Sequence, residues 1–258
     1  MRMPACHEPS APDGGQLCGD VPHSVRRART WLAPLVLALF AAACAQLPHD
    51  TERAPAMHAA QQRWQAELDA FARADAAHPP VEGGVLFVGS STIRLWSTLE
   101  RDFPAMPDIV NRGFGGSTMH DCSLLVDRLV LRYRPRQVVI YAGDNDLAQG
   151  ATPQQVRQDL ERFVTTVRSA LPAARIAYIS IKPSPAREAL TPKMREANAV
   201  IAAYLKDLPG SDFIDVFTPM LDAHGEARAD LFLPDRLHLN AAGYQLWQSV
   251  VGPYLPSP

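Results

Sequence analysis

The chain has 258 residues, of which 47% are hydrophobic and 20% are charged, and its formal net charge at pH 7 is −2. This composition suits one ordinary globular domain with a substantial apolar core. The near-neutral charge argues against a nucleic-acid-binding protein, whose affinity would rest on many lysine and arginine contacts to phosphate. No apolar run reaches about 18 residues, so the sequence predicts no membrane-spanning helix.

Residues 1–45 have the features of an export signal. A basic stretch at residues 26–29 precedes an apolar run of signal-peptide length at residues 31–43. Cys44 follows a small residue and resembles the cysteine that is lipidated in bacterial lipoproteins, while ordinary cleavage after Ala45 is the alternative. We therefore expect an exported protein. It would be a cell-envelope lipoprotein on the periplasmic face or, alternatively, a soluble periplasmic or secreted protein.

The residues before Val25 are polar and do not fit a signal peptide, which a true start near Val21 or Val25 would explain. Export removes two of the four cysteines and lipidation would occupy a third, so the mature domain keeps only Cys122 and has no internal disulfide. Cys122 lies near the start of an apolar-periodic helix. That position favours a buried structural cysteine over a catalytic thiol.

From residue 46 the sequence predicts a linker and an N-terminal helix, 51–77, which ends before two prolines and either packs on the domain or spaces it from the membrane. Short apolar runs then alternate with amphipathic segments. Strands are predicted at 85–88, 109–111, 137–142, 175–181 and 212–217. Further helices are predicted at 124–133, 153–170, 192–207 and 241–254, with Thr152 as the N-cap and Pro153 at the first position of the second of them.

This alternation predicts a parallel sheet that is covered by helices on both faces. Ligands of such sheets bind beyond the carboxyl ends of the strands. Motifs at strand ends are therefore the candidates for chemistry.

The first motif is Gly89-Ser90-Ser91-Thr92, directly after the predicted strand 85–88. Gly89 permits a tight turn, and a serine that opens the next helix lies close to free backbone N–H groups. Serine is also a preferred N-cap, and for this segment taken alone capping is the better explanation.

Two more motifs follow the second and third predicted strands. NRGFGGS at 111–117 is rich in glycine, as are loops that bind an anion through backbone N–H groups and as are ordinary loops. AGDND at 142–146 places two carboxylates beside an amide, a set that can bind a metal, cap a helix or line a site. Neither segment decides its own role.

Asp235 and His238 lie just before the last predicted helix. Their spacing lets the two side chains meet across one turn or a tight loop, so that the carboxylate can hold the imidazole in one tautomer. A lone histidine is more often a surface or satisfied residue, but the aspartate three positions earlier favours a chemical role.

Together the four motifs resemble those of the SGNH, or GDSL-like, hydrolase family. That family carries serine in a block after the first strand, glycine in a second block, asparagine in a Gly-x-Asn-Asp block and an Asp-x-x-His block near the C-terminus. The residues at these positions are Ser91, Gly116, Asn145, Asp235 and His238. The order and placement agree over roughly residues 82–254. The chain departs from the family at Ser90, where aspartate is usual.

The resemblance implies a flavodoxin-like three-layer α/β/α sandwich around a five-stranded parallel sheet, formed by residues 81–258. It implies a serine-dependent carboxylic ester hydrolase with Ser91 as the nucleophile, His238 as the general base and Asp235 as the residue that orients it. The implied oxyanion hole consists of the backbone N–H groups of Ser91 and Gly116 and the side-chain amide of Asn145.

No metal and no organic cofactor is implied. The expected partner is a small-molecule, glycan or lipid ester. Short-chain or acetyl esters are favoured because no long apolar lid separates the motifs. We expect no nucleic-acid partner, and membrane contact only through the N-terminal lipid.

Residues beside the motifs are further candidates. Arg112, Asp121 and Asp144 are expected to form supporting hydrogen bonds or to have structural or surface roles. The candidates for the substrate rim are Met119, His120, Leu147 and Arg236.

Three other functions remain open from the sequence. A metallo-phosphoesterase would use oxygen and imidazole ligands, here Asp144, Asn145, Asp146, Asp235 and His238. A non-catalytic envelope lipoprotein that binds glycans is the second. An acyltransferase with the same triad is the third, and it would pass the acyl group to a sugar hydroxyl instead of water.

The N-terminal pattern predicts processing of the native protein. With lipid on Cys44, the mature chain begins at that cysteine, lacks residues 1–43 and carries added acyl mass, which intact mass spectrometry measures. A mature chain that begins at Gln46 without added mass would indicate ordinary secretion instead. A chain that retains residues 1–45 would contradict both forms of the prediction.

Overall fold

The computed structural model describes residues 49–106 and 108–256. The predicted export signal at residues 1–45, with Cys44, lies outside the described residues. No helix in this described part of the chain is both long and apolar enough to cross a membrane.

Five strands form one sheet: β1 (Val85–Gly89), β2 (Ile109–Gly113), β3 (Gln137–Tyr141), β4 (Arg175–Ile179) and β5 (Ser211–Ile214). Their order across the sheet is β2-β1-β3-β4-β5, and every neighbouring pair runs parallel. The carboxyl ends of β1, β2 and β3 are level, because Gly89 stands opposite both Gly113 and Tyr141.

Helices connect the strands. The described residues contain the α-helices α1 (His49–Arg63), α2 (Gln65–Ala77), α3 (Ser91–Arg94), α4 (Leu99–Asp102), α5 (Met119–Leu124), α6 (Val126–Leu129), α7 (Asp144–Ala148), α8 (Pro153–Ala170), α9 (Thr191–Lys206) and α10 (Ala241–Val251). α8 begins as its sequence predicts: the Thr152 side chain accepts a hydrogen bond from the Gln155 N–H, and Pro153 occupies the first turn.

Alternate residues of β1 enter two separate cores, because successive side chains of a strand point to opposite faces. Leu86 and Val88 pack with apolar residues of α5, α8 and α9, whereas Val85 and Phe87 pack with those of α3, α4 and α10. A strand covered on both faces is apolar throughout, which explains the run at 85–88. The predicted three-layer α/β/α sandwich with a five-stranded parallel sheet is therefore confirmed.

Several predicted elements differ from the structure. The fourth strand ends at Ile179 and not at 181, and the last helix ends at Val251 and is followed by a 3₁₀ turn, Gly252–Tyr254. The helix expected at 51–77 is two helices, interrupted at Trp64. The helix expected at 124–133 begins earlier, at Met119, and consists of α5, α6 and a 3₁₀ turn, Leu131–Tyr133. The fifth strand ends at Ile214 and not at 217. The backbone N–H groups of Val216 and Phe217 donate to the Ser180 hydroxyl instead of to a neighbouring strand.

The two N-terminal helices pack on the sheet domain. The Trp64 ring meets Phe114 edge to face with 4.9 Å between ring centroids, and Arg63 pairs with Asp121 of α5. Asp75 accepts hydrogen bonds from Arg112 of β2 and from the Tyr133 hydroxyl. An aromatic contact and ion pairs therefore join the N-terminal helices to the domain. Of the two arrangements that the sequence left open, packing on the domain or spacing it from the membrane, the structure shows packing.

Cys122 is fully buried in α5. Burial raises the pKa of its thiol well above the ordinary value, so the thiolate needed for nucleophilic chemistry does not form near neutral pH. A structural role fits this position.

Asp146 lies in α7, just after β3, and binds the backbone at the start of α5. Its carboxylate accepts hydrogen bonds from the Met119 N–H at 2.9 and 3.0 Å and from the His120 N–H at 3.4 Å, and the residue is 4% exposed. Burial raises the pKa of the Asp146 carboxyl to about 6, although these backbone donors act in the opposite direction.

The raised pKa of Asp146 predicts how stability changes with pH. The unfolded carboxyl titrates near pH ~4, so the folded state holds the proton more firmly, and the stability this confers below pH ~4 is lost as the pH rises through about 6. Asp146→Asn removes the titration. Between about pH 4 and 7 the free energy of unfolding of the wild type should therefore fall by roughly 1–3 kcal/mol relative to the variant, as measured by urea denaturation.

Asp207→Asn, at an exposed position after α9, is the matched control and should follow the wild type across this pH range. A constant difference between wild type and Asp146→Asn at every pH would contradict the prediction.

Candidate active site

Ser91 lies where β1 turns sharply into α3. Gly89 has a φ of 144°, and a Cβ at this residue would stand 1.8 Å from the carbonyl oxygen of Tyr141, so only glycine fits. The Ser90 N–H donates to the same carbonyl at 3.0 Å. α3 then begins at Ser91, whose backbone N–H belongs to the first turn and has no acceptor within the helix.

The two adjacent serines have different surroundings. Ser91 Oγ lies 2.9 Å from His238 Nε2. Ser90 is 1% exposed, and its hydroxyl has no hydrogen-bond partner among the described residues. Only Ser91 is therefore in contact with a base.

A tight turn brings Asp235 and His238 together. Asp235 Oδ2 lies 2.6 Å from His238 Nδ1, and Asp235 Oδ1 accepts the backbone N–H groups of Leu237 and His238, each at 3.0 Å. Arg236 closes the turn with a φ of 57°. The hydrogen bond from the His238 side chain, followed by those from the two backbone N–H groups, lowers the pKa of the Asp235 carboxyl to about 2.

These contacts assign the protons of the imidazole. A carboxylate only accepts hydrogen bonds, so Nδ1 carries the hydrogen that is donated to Asp235. In the neutral ring Nε2 is then the acceptor, and it faces the Ser91 hydroxyl. The three side chains form one chain of hydrogen bonds that can move a proton from Ser91 to His238.

The glycine-rich segment at 111–117 begins inside the sheet. Gly113 is the last residue of β2 and packs against α3. A Cβ at Gly113 would stand 2.2 Å from the backbone nitrogen of Arg94. The Phe114 N–H donates to the Gly89 carbonyl at 2.8 Å, which holds the start of the loop beside the Ser91 turn. Gly116 follows with a φ of 83° and is exposed.

Asn145 is connected to the same loop. Its Nδ2 donates to the carbonyl of Ser117, next to Gly116, at 3.0 Å. Its Oδ1 accepts a hydrogen bond from Arg187 Nη2 at 2.8 Å. A primary amide has two N–H groups, so one remains after the bond to Ser117.

Asp144, Lys182 and Arg187 form a charged cluster next to Asn145, in which Asp144 and Lys182 are buried and Arg187 is half-buried. The sequence did not single out the two basic residues. Asp144 Oδ2 lies 3.3 Å from Lys182 Nζ and 3.1 Å from Arg187 Nη1. Lys182 directly follows the predicted strand 175–181. The strand-end motifs considered in the sequence followed the first three strands, and a search after the fourth strand as well would have found Lys182.

The residues proposed for the substrate rim divide into two pairs. Met119 and Leu147 are buried and cannot line a rim, so this prediction is wrong for both; their apolar side chains belong to the core. His120 and Arg236 are exposed. His120 is engaged by Asp159, whose Oδ1 lies 2.8 Å from its Nδ1.

The supporting residues have structural contacts. Asp121 forms a capping box with Thr118 at the start of α5, and Arg112 donates to Asp75 and Tyr133.

The residues of the metal-site alternative do not converge. Asp144 is paired with two cations, Asp146 with backbone N–H groups, and Asp235 with His238. Among the described residues, no group of three or more His, Cys, Asp or Glu side chains is arranged to hold a metal ion.

Solved structures share this fold. A protein from Streptococcus pneumonia with the provisional name platelet activating factor is 22% identical, with a TM-score of 0.67, over 80% of this chain and 99% of its own. A GDSL-like lipase from Bacteroides thetaiotaomicron is 23% identical, with a TM-score of 0.63, over 72% and 96%. An acetyl-xylooligosaccharide esterase from Geobacillus Stearmophilus is 16% identical, with a TM-score of 0.55, over 66% and 93%.

No curated protein matches the chain. The family model described as GDSL-like Lipase/Acylhydrolase matches residues 85–246, from the first strand to the last helix. This range is more than half of the chain and contains every motif residue named above. The chain belongs to the GDSL-like Lipase/Acylhydrolase family and is a carboxylic ester hydrolase.

Proposed function

We propose that the protein hydrolyses its ester substrate through an acyl-enzyme on Ser91. The observation that carries this proposal is the continuous hydrogen-bonded chain from Ser91 Oγ through His238 to Asp235, with distances of 2.9 and 2.6 Å. A serine, a base and a residue that orients the base are the parts that nucleophilic acyl transfer requires.

In the first half of the reaction Ser91 Oγ bonds to the ester carbonyl carbon while its proton moves to His238 Nε2. The tetrahedral intermediate then breaks the bond to the leaving alcohol, which takes the proton from the imidazolium. In the second half, water gives a proton to His238 and attacks the acyl carbon. The bond to Ser91 Oγ breaks, and the oxygen regains the proton. Asp235 stays ionised and stabilises the imidazolium in both halves.

The negative charge of the tetrahedral intermediate needs hydrogen-bond donors. We assign this role to the backbone N–H groups of Ser91 and Gly116 and to the free N–H of the Asn145 side chain. The first-turn position of Ser91, the exposure of Gly116 and the anchoring of Asn145 on the Gly116 loop support the assignment. Such donors act most strongly on the charge that develops in the transition state.

Short-chain or acetyl esters are the proposed substrates. The connections that follow Ser91, Asn145 and His238 are short and carry no long apolar lid among the described residues. The acetyl ester that names the esterase from Geobacillus Stearmophilus is of this class. Hydrolysis rates over acetyl, butyryl and octanoyl nitrophenyl esters, acetylated glycans and lysolipids would test this. A preference for octanoyl esters or lysolipids would contradict it.

We further propose that the protein acts outside the cytoplasm, attached by lipid on Cys44. The proposal rests on the basic and apolar pattern of residues 1–45, and the mass measurement described above tests it.

The identity of the nucleophile predicts that two adjacent substitutions differ. Ser91→Ala should abolish hydrolysis of nitrophenyl acetate, because in the described part of the chain no other hydroxyl contacts His238 Nε2, whereas Ser90→Ala should retain most of it. Steady-state rates and labelling with a fluorophosphonate measure the difference. Inactivity of Ser90→Ala together with an active Ser91→Ala would contradict the assignment.

The proton chain predicts the pH dependence of the rate. Because the pKa of Asp235 is about 2, this carboxylate stays charged above pH ~4, and only protonation of the imidazole removes the base. The value of kcat/KM should therefore rise with pH with the slope of a single proton and show no second ionisation from Asp235 above pH ~4. Asp235→Asn should lower kcat by about 10²–10⁴-fold, because the amide no longer stabilises the imidazolium.

EDTA is the control for the metal-dependent alternative, and it should leave the profile of the wild type unchanged. A rate that collapses on chelation, or that is flat from about pH 5 to 9, would contradict the triad.

A further inference from the structure

Arg187 contacts two consecutive residues of α7. Its Nη2 donates to Asn145 Oδ1 at 2.8 Å, and its Nη1 lies 3.1 Å from Asp144 Oδ2, an ion pair without the angle of a hydrogen bond. The Arg187 side chain is 17% exposed. A charged donor that is largely shielded from water holds its acceptor more firmly than a neutral one does.

Asp144 anchors this arginine. Burial would raise the pKa of the Asp144 carboxyl, but the positive charges of Lys182 and Arg187 outweigh burial, and the pKa lies below its ordinary value. Asp144 is therefore ionised at neutral pH. Lys182 Nζ lies 3.3 Å from Asp144 Oδ2 and is a second partner of this carboxylate. The charge of Asp144 would therefore still be paired if Arg187 were removed.

The segment that carries Arg187 also contacts the turn that holds Asp235 and His238. Arg187 lies in the 3₁₀ segment Pro185–Leu190, in which the Ala186 N–H donates to the Arg236 carbonyl at 3.0 Å. Arg236 stands between Asp235 and His238. One short segment after β4 is therefore bonded on one side to the proposed oxyanion donor and on the other to the turn that holds the base.

We propose that Arg187 is a positioning residue that fixes the side-chain amide of Asn145 for catalysis. The inference rests on the oxyanion role proposed above for Asn145. The amide oxygen is held by Arg187 and one N–H by the Ser117 carbonyl, which fixes the amide plane and leaves the second N–H with a single direction. The guanidinium charge on the oxygen also polarises the amide and makes that N–H a stronger donor.

Without Arg187 the amide keeps only the bond to Ser117. It can then rotate about its side-chain bonds, and the free N–H no longer has a fixed direction when the intermediate forms. Binding of the neutral ester does not depend on this donor. Loss of Arg187 should therefore act on kcat more than on KM.

The experiment is a double-mutant cycle in the full-length protein with nitrophenyl acetate. Arg187→Met should lower kcat by about 10- to 100-fold with little change in KM, and Asn145→Ala by about 10²–10³-fold. Because Arg187 acts through Asn145, the double variant should be no slower than Asn145→Ala alone. Arg187→Lys, which keeps the charge but not the planar fork, should fall between the wild type and Arg187→Met.

The matched control is Arg175→Met, which also removes an arginine paired with an aspartate, here Asp212 at 2.9 Å. Arg175 lies at the amino end of β4, away from the strand ends that carry the motifs, so its kcat should equal that of the wild type. Thermal unfolding of every variant shows whether an effect follows from lost stability.

The outcomes separate this inference from the proposed function. Equal losses for Arg187→Met in the wild-type and Asn145→Ala backgrounds, or a loss confined to KM, would overturn the positioning role. Full activity of Asn145→Ala would overturn it as well, because there would be no donor to position. Retained activity of Ser91→Ala would instead overturn the acyl-enzyme on which both rest.

Discussion

The contact between Gly89 and the Tyr141 carbonyl is the constraint on which the site depends. β1 and β3 approach so closely at their carboxyl ends that a Cβ at Gly89 would lie 1.8 Å from that oxygen. The chain leaves the strand with a φ of 144° at Gly89, and the following N–H bonds to the same carbonyl. This geometry turns Ser91 out of the sheet, and the loop after β2 is bonded to the Gly89 carbonyl in turn. The nucleophile and the glycine-rich loop are thus fixed by one strand end.

The charged cluster behind α7 has a different physical character. Removing an ion from water costs several kcal/mol, and a buried pair often recovers no more than this, so Asp144, Lys182 and Arg187 are weak candidates for stabilising the fold. Their contacts hold the geometry of α7 instead. A cluster that contributes little to stability but orients a hydrogen-bond donor, here the Asn145 amide, is expected near a reaction centre. There, fixed protein charges and dipoles replace water in stabilising the charge that develops.

The sequence predicts the parts of this protein that depend on local pattern. Buried strands such as 85–88 are visible as apolar runs. The roles of Ser91, Asp235 and His238 did not follow from any one segment and were implied by the resemblance of four motifs together to a known family. The contact of Arg187 with Asn145 was not predictable in this way. It forms because β3 and β4 are neighbours in the sheet, so that the segments after these two strands lie side by side. The backbone after the early end of β5 likewise bonds to the Ser180 hydroxyl, which belongs to the segment after β4.

Tertiary packing also explains the interrupted N-terminal helix. The Ala- and Gln-rich composition of residues 51–77 indicates one helix, but at Trp64 the backbone leaves helical geometry, and the side chain meets Phe114 at the start of the glycine-rich loop. The composition of one segment does not identify a packing partner fifty positions away. The N-terminal segment is thereby part of the same compact unit as the sheet.

Ser91 and His238, the proposed nucleophile and base, are separated by 147 positions in the chain. Their contact requires α10 to dock on the sheet. Trp247 of this helix packs against Tyr141 and Trp96. The Tyr244 hydroxyl of the same helix donates to the Thr92 carbonyl, next to Ser91. A nascent chain that has not yet delivered its last helix holds Ser91 without His238. If the two residues act as proposed, such a chain is inert toward esters, and hydrolysis becomes possible only when the two ends of the domain have come together.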